Sequence, residues 1–220
     1  MGGIATNPTF KLSATSDVQL PAEWEKTIQA LIQSKGIVLL IGGADTGKTT
    51  LALRLASEGV ARGIKTAIVD ADIGQSIIGP PTTIGLSIIN RHSLLNDRPL
   101  VNKRLTPEEL TVAQLYFVGD TSPLGHLLQS VVGTKRMVSL ALEKGAELVI
   151  VDTSGLISGV AGLSLKYHKV QAINPEFVVV LERSRELNQI TSAIRWYARP
   201  ALCNLFVPPE VKRIPPELRA

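Results

Sequence analysis

At 220 residues the chain fits one α/β domain and leaves no room for a second full-sized one. Apolar residues make up 45% and charged residues 19%, which excludes a disordered chain, and with aromatics at only 4% the core must be aliphatic, as in parallel strands covered on both faces. The net charge of +4 is compatible with a polyanionic partner without requiring one, and a lone Cys203 excludes an intrachain disulfide or a thiolate metal cluster. The cysteine usage points to a reducing compartment. The N-terminus lacks a basic region followed by an apolar stretch, and no window approaches the roughly 18 apolar residues of a membrane span. A soluble cytoplasmic protein without a membrane partner is expected.

Residues 1–20 are polar and irregular and read as a flexible N-terminal segment, followed by one domain over 21–207 and a Pro-rich basic tail over 208–220. Pro21 opens a helix, Ala22 to Gln33, whose Trp24, Ile28, Leu31 and Ile32 recur at helical spacing, so Trp24 is a core anchor. Ile37 to Ile41 is a buried strand, Lys48 to Ala61 a helix closed by Arg62-Gly63, and Thr66 to Asp70 a second strand, forming a βαβ unit with a parallel sheet implied. From Gly74 to about Glu109 the pattern dissolves into Pro, Gly, Ser and Asn, and a long surface excursion is expected. Strand Leu115 to Val118, a helix from about Pro123 to Lys144, and strand Leu148 to Val151 follow. After them come a helix from about Gly162 to Ala172, strand Phe177 to Leu181, a helix over Arg185 to Arg199 and strand Leu202 to Val207. No internal repeat is present.

Gly42-Gly43-Ala44-Asp45-Thr46-Gly47-Lys48-Thr49 matches G-x-x-x-x-G-K-[ST] between a predicted strand and a predicted helix, the context that this phosphate-binding loop requires. Glycines let the backbone curl with its N–H groups inward, and the positive end of the next helix adds to the anion site. A nucleotide site is expected from Gly42 through Thr49 to Thr50, with Lys48 at the β- and γ-phosphates and the Thr49 hydroxyl on Mg²⁺. The fold class that follows is α/β, a P-loop NTPase fold with a mostly parallel sheet and helices on both faces. Asp70-Ala71-Asp72 and Asp152 end neighbouring strands, where ligands of such sheets collect. A carboxylate there can hold Mg²⁺ and another can take a proton from an attacking hydroxyl, while turn formation or helix capping is the plainer role for isolated acids.

Taken together, the phosphate loop, Asp70-x-Asp72-x-Gly74-Gln75, Gly79-Pro80-Pro81, Tyr116-Phe117-Val118-Gly119-Asp120-Thr121-Ser122-Pro123 and Asp152-Thr153-Ser154-Gly155 resemble the polynucleotide 5′-hydroxyl kinases. That family includes the RNA kinases of eukaryotic tRNA, mRNA and rRNA processing and shorter archaeal and bacterial relatives, and the resemblance runs from about Gly36 to the C-terminus. It implies transfer of the γ-phosphoryl group of ATP or GTP to the 5′-OH of RNA or DNA, with Mg²⁺ as cofactor and RNA-processing proteins as partners. It also implies Asp72 as general base and Asp70 in the magnesium shell beside Asp152. The acceptor is expected against Gln75, Thr121 and Ser122 and within a clasp matching Thr153, Gly155 and Leu156. Eukaryotic members carry a Trp where this chain has Leu156, so the aromatic platform for the terminal base is absent here. A lid arginine is expected at Arg213 or Arg219, both in the tail. The chain stops at Ala220, where relatives continue through the lid, and a truncated or minimal version is expected. The alternatives to a kinase are a nucleotide-binding scaffold of an RNA-processing complex and a regulatory NTPase.

The remaining polar and aromatic residues have plainer roles. Arg183 and Arg185 read as capping or solvated residues; Lys135, Arg136, Lys166 and Lys169 read as solvated helix-face charges. His126 follows the Thr121-Ser122-Pro123 stretch, and with only His92 and His168 besides it no metal cluster is indicated. Trp196 and Cys203 are expected in the core.

Overall fold

The computed structural model describes residues 20–90, 105–196, 200–209 and 211. Helix α1 (Ala22–Ser34) follows Pro21 and buries Trp24, Ile28, Leu31 and Ile32, and the Trp24 indole N–H donates to the Phe206 carbonyl at 3.1 Å. Strand β1 (Gly36–Gly42) leads through the phosphate loop into α2 (Lys48–Ala61), followed by β2 (Thr66–Ala71) and β3 (Thr83–Ile89). A 3₁₀ turn (Pro107–Glu109), β4 (Gln114–Phe117), α3 (Leu127–Glu143), β5 (Leu148–Thr153), α4 (Gly159–Ile173), β6 (Phe177–Glu182), α5 (Asn188–Arg195) and β7 (Ala201–Phe206) complete the order. Among the described residues no helix is long and apolar enough to cross a membrane.

The seven strands form one sheet in the order β4-β3-β2-β5-β1-β6-β7, parallel except for the antiparallel β2–β3 and β3–β4 pairs. Strands β1 and β2 are therefore not partners: β5 lies between them, with Asp70 level with Asp152. That register puts both acids level with Leu40 of β1, at the sheet end where the phosphate loop leaves the strand. Alternation along β1 divides the core between the two faces of the sheet. Leu39 and Ile41 pack with Met137, Val170 and Ile190 of α3, α4 and α5, whereas Val38 and Leu40 pack with Ile28 and Leu55 of α1 and α2.

The excursion expected from Gly74 contains a buried strand. Thr83-Ile84-Gly85-Leu86-Ser87-Ile88-Ile89 pairs antiparallel with β2, and Gly and Ser break the apolar run that would have revealed it. Gly85 is there because the 76–78 loop crosses it: a Cβ at Gly85 would stand 2.1 Å from the Ile78 carbonyl oxygen. The helix expected from Pro123 starts at Leu127, after a turn in which Gly125 has φ +82°. The helix expected to reach Arg199 is α5, ending at Arg195; Trp196 beyond it is 90% exposed, so it is no core residue, and Cys203 is only half-buried.

Candidate active site

The phosphate loop lies between β1 and α2 with Asp45 at φ +55° and Gly47 at φ +87°. A Cβ at Gly42 would meet the Thr46 hydroxyl at 2.5 Å and the Leu181 carbonyl at 2.8 Å, so the loop needs glycine where β1 ends. The Lys48 amine donates to the Gly43 carbonyl at 2.6 Å, as does the Thr46 hydroxyl at 3.0 Å. Burial lowers the Lys48 pKa, opposed by the charges of Asp152, Asp72 and Asp45. The first turn of α2 supplies N–H groups without intrahelical acceptors next to that amine, which is an anion site in outline. A residue outside the motif also braces it. The Arg183 guanidinium, just past β6, donates to the Asp45 carbonyl at 2.7 Å, so Arg183 is neither a cap nor a solvated charge. Its position five strands further along the chain left no local signal of this role.

The Thr49 hydroxyl donates to Asp152 Oδ2 at 2.6 Å, while Asp152 Oδ1 is buried with no hydrogen-bond partner. A hydroxyl and a carboxylate with an orphaned oxygen, beside the phosphate loop, fit a hard cation such as Mg²⁺. Burial raises the Asp152 pKa, and the neighbouring Lys48 charge opposes it. Asp70 is engaged differently. Its Oδ1 accepts from the Asp72 amide at 3.1 Å, and Oδ2 accepts from Ser76 Oγ at 2.9 Å and the amides of Ile77 and Ile78 at 2.6 and 3.1 Å. Asp70 thus holds the 76–78 loop, and burial together with the Asp152 charge pushes its carboxyl up to about 7.

Asp72 is partly exposed, and its Oδ1 accepts from the Gly74 and Gln75 amides at 3.2 and 3.3 Å. A Cβ at Gly74 would lie 2.8 Å from the Thr121 carbonyl, so the 72–75 turn packs directly on the 119–122 turn, which the Ser122 amide closes on Asp120 at 2.8 Å. On the other side of the site, a Cβ at Gly155 would lie 2.7 Å from the Ala44 nitrogen, seating the Thr153–Leu156 stretch on the phosphate loop. Gln75 and Thr121 are exposed, and Leu156 is half-buried. Arg213 and Arg219 lie outside the described residues.

Lys166 and Lys169 are fully buried, contrary to their reading as solvated charges. Their helix packs on α3 and the sheet, and each amine reaches back to a strand end. The Lys166 amine donates to Thr153 Oγ1 at 2.8 Å and the Ser154 carbonyl at 2.5 Å, and the Lys169 amine donates to the Ala71 carbonyl at 3.5 Å. Burial lowers the Lys169 pKa from 10.5 to about 8, opposed by Asp72, Asp70 and Asp152. The Lys166 charge on the same helix faces it as well. A folded-state pKa below the unfolded value means that the unfolded chain holds the extra proton between these two values. This group therefore adds stability as pH rises from about 8 to 10.5, and below pH 8 its charged form costs about 3 kcal/mol. Lys169→Met is expected to be more resistant to urea than the parent near neutral pH, with the difference shrinking as pH approaches 10.5. Unfolding curves at several pH values check this.

Residues 42–220 match the family described as mRNA cleavage and polyadenylation factor CLP1 P-loop. The chain belongs to this family. A polyribonucleotide 5′-hydroxyl-kinase of Pyrococcus furiosus is 38% identical over 184 residues, covering 83% of this chain and 48% of the relative. One of Methanocaldococcus jannaschii is 41% identical over 155 residues, covering 70% of this chain and 39% of that protein. The chain thus spans less than half the length of these curated relatives. A chain of the solved Clp1p–Pcf11p complex shares the fold, with a TM-score of 0.61 at 15% identity over 88% of this chain and 49% of its own. The CLP1-family P-loop domain therefore accounts for the α/β fold and the nucleotide-binding loop read from the sequence.

Proposed function

We propose that this chain is a polynucleotide 5′-hydroxyl kinase, moving the γ-phosphoryl group of ATP or GTP to the 5′-OH end of RNA or DNA. One observation carries the reading: the Asp72 turn, packed on Thr121, and the Thr153–Leu156 stretch, packed on Ala44, flank the phosphate loop at one sheet end. A phosphate donor and a second substrate could meet there with a free carboxylate face between them. The relatives named polyribonucleotide 5′-hydroxyl-kinase support the reaction and favour RNA as acceptor.

In this mechanism Asp72 accepts the proton of the 5′-hydroxyl as that oxygen attacks the γ-phosphorus in line. Lys48 and the N-terminus of α2 meet the negative charge on the phosphate oxygens, with Arg213 or Arg219 as the proposed lid arginine. Thr49 and Asp152 would hold Mg²⁺, and Asp70 would reach it only through water because its oxygens already accept from the Asp72 amide and the 76–78 loop. Bound there, the cation would neutralise charge on the phosphates. Gln75, Thr121, Ser122, Gly155 and Leu156 form the proposed acceptor side, while Thr153, fully buried with its hydroxyl between Lys166 and the Leu40 carbonyl, supports that side without facing it. A protein partner is proposed from the complex in which Clp1p is seen with Pcf11p.

Incubation with γ-labelled ATP or GTP and a 5′-OH oligonucleotide tests the reading. Label on the oligonucleotide marks a kinase, label released as phosphate marks an NTPase, and label retained on the nucleotide marks a binding scaffold. Leu156 supplies a further expected result. A half-buried Leu offers no stacking face, and stacking is worth roughly 1–3 kcal/mol per base on an aromatic ring, so Leu156→Trp should lower the acceptor Michaelis constant by about fivefold or more. The triphosphate constant should hardly move. Acceptor saturation at two salt concentrations makes the comparison, and an unchanged acceptor constant would place Leu156 away from the acceptor.

A further inference from the structure

The two buried lysines of α4 have no part in the mechanism above. Lys166 and Lys169 are three residues apart on one face of the helix, and neither amine has access to solvent, so neither can touch a substrate. Burying two like charges so close together is costly, and burial with the charges of Lys169 and Lys48 holds the Lys166 amine well below its ordinary pKa. Unbranched apolar side chains would fill the same space at lower cost, so stability does not account for the pair.

What the amines hold is informative. Lys166 binds Thr153 Oγ1 and the Ser154 carbonyl, immediately before Gly155, and Thr153 Oγ1 itself donates to the Leu40 carbonyl of β1 at 2.7 Å. Lys169 reaches the Ala71 carbonyl, immediately before Asp72. One helix face therefore ties together the two chain segments that leave β2 and β5 toward the acceptor side. The hydrogen bonds of the phosphate loop, Lys48 to Gly43 and Thr49 to Asp152, involve neither lysine.

We propose that Lys166 and Lys169 are positioning residues for the 5′-OH acceptor, setting the separation between the Asp72 turn and the Thr153–Gly155 segment. This rests on the kinase reading of the same site. Lys166→Met keeps an unbranched side chain and removes the amine. Its Michaelis constant for a 5′-OH oligoribonucleotide should rise about tenfold, with the ATP constant within about twofold of the parent and no loss of melting temperature. Thr153→Val, which removes the acceptor of the Lys166 hydrogen bond, should show the same split. Equilibrium binding of the oligonucleotide beside a non-hydrolysable ATP analogue reads the same step without turnover.

An unchanged acceptor constant in either folded variant overturns the proposal. So does a parallel rise of both constants with a fall in melting temperature, the mark of a merely structural role. Failure of both variants to fold would assign the pair to the core and overturn it too. A parent protein that binds and phosphorylates the oligonucleotide while Lys166→Met matches it removes only the positioning role. A parent that does neither removes the kinase reading as well.

Discussion

Lys48→Ala is expected to lower phosphoryl transfer by on the order of a hundredfold or more while the protein stays folded. The amine is buried beside the loop it serves, and it donates to the Gly43 carbonyl at 2.6 Å. A γ-phosphate entering the loop would offer that amine a charged acceptor in place of a neutral one, and a charge-assisted bond is the stronger of the two. Removing the amine also takes away a positive charge that opposes the raised pKa of Asp152, which weakens the proposed cation site in the same step. The fold should tolerate the change because Lys48 opens α2 and Ala is the best helix former. Transfer rates with labelled ATP, together with circular dichroism of both proteins, measure this. A folded Lys48→Ala protein with parental activity would remove the nucleotide-site assignment.

Asp72→Asn is expected to abolish transfer with nucleotide affinity within a few fold of the parent. An amide oxygen can still accept from the Gly74 and Gln75 amides, so the turn is kept, but the amide is not a usable base. The same change at Asp70 should act differently. Three donors converge on Asp70 Oδ2, and an NH₂ group on that side would oppose them, whereas one on the other side would oppose the Asp72 amide. Asp70→Asn should therefore lower the melting temperature and raise the magnesium requirement, and Asp72→Asn should do neither. Magnesium titrations at saturating acceptor, with thermal unfolding alongside, separate the two. Identical behaviour would end the division of labour proposed for these acids.

The phosphate loop was legible in the sequence because its chemistry is local: eight consecutive residues carry the turn, the amine and the hydroxyl, and the flanking strand and helix are strongly patterned. Asp70 and Asp152 could be matched as ends of adjacent strands for the same reason, since a parallel ladder sets their level once both strands are known. Strand β3 escaped because a strand carrying Gly and Ser looks like a loop until the 76–78 backbone is seen crossing it at Gly85. Arg183 and the lysine pair escaped for a related reason. Helix α4 has little amphipathic pattern, and a long cationic side chain in such a helix reads as solvated unless its target is known. The targets are carbonyls of Asp45, Ser154 and Ala71, which become acceptors only when separate strands end side by side. Residue type and spacing thus determined the fold class and the nucleotide loop by themselves. Only the tertiary structure decided what the buried cations hold, because hydrogen bonds between distant strand ends leave no periodic trace along the chain.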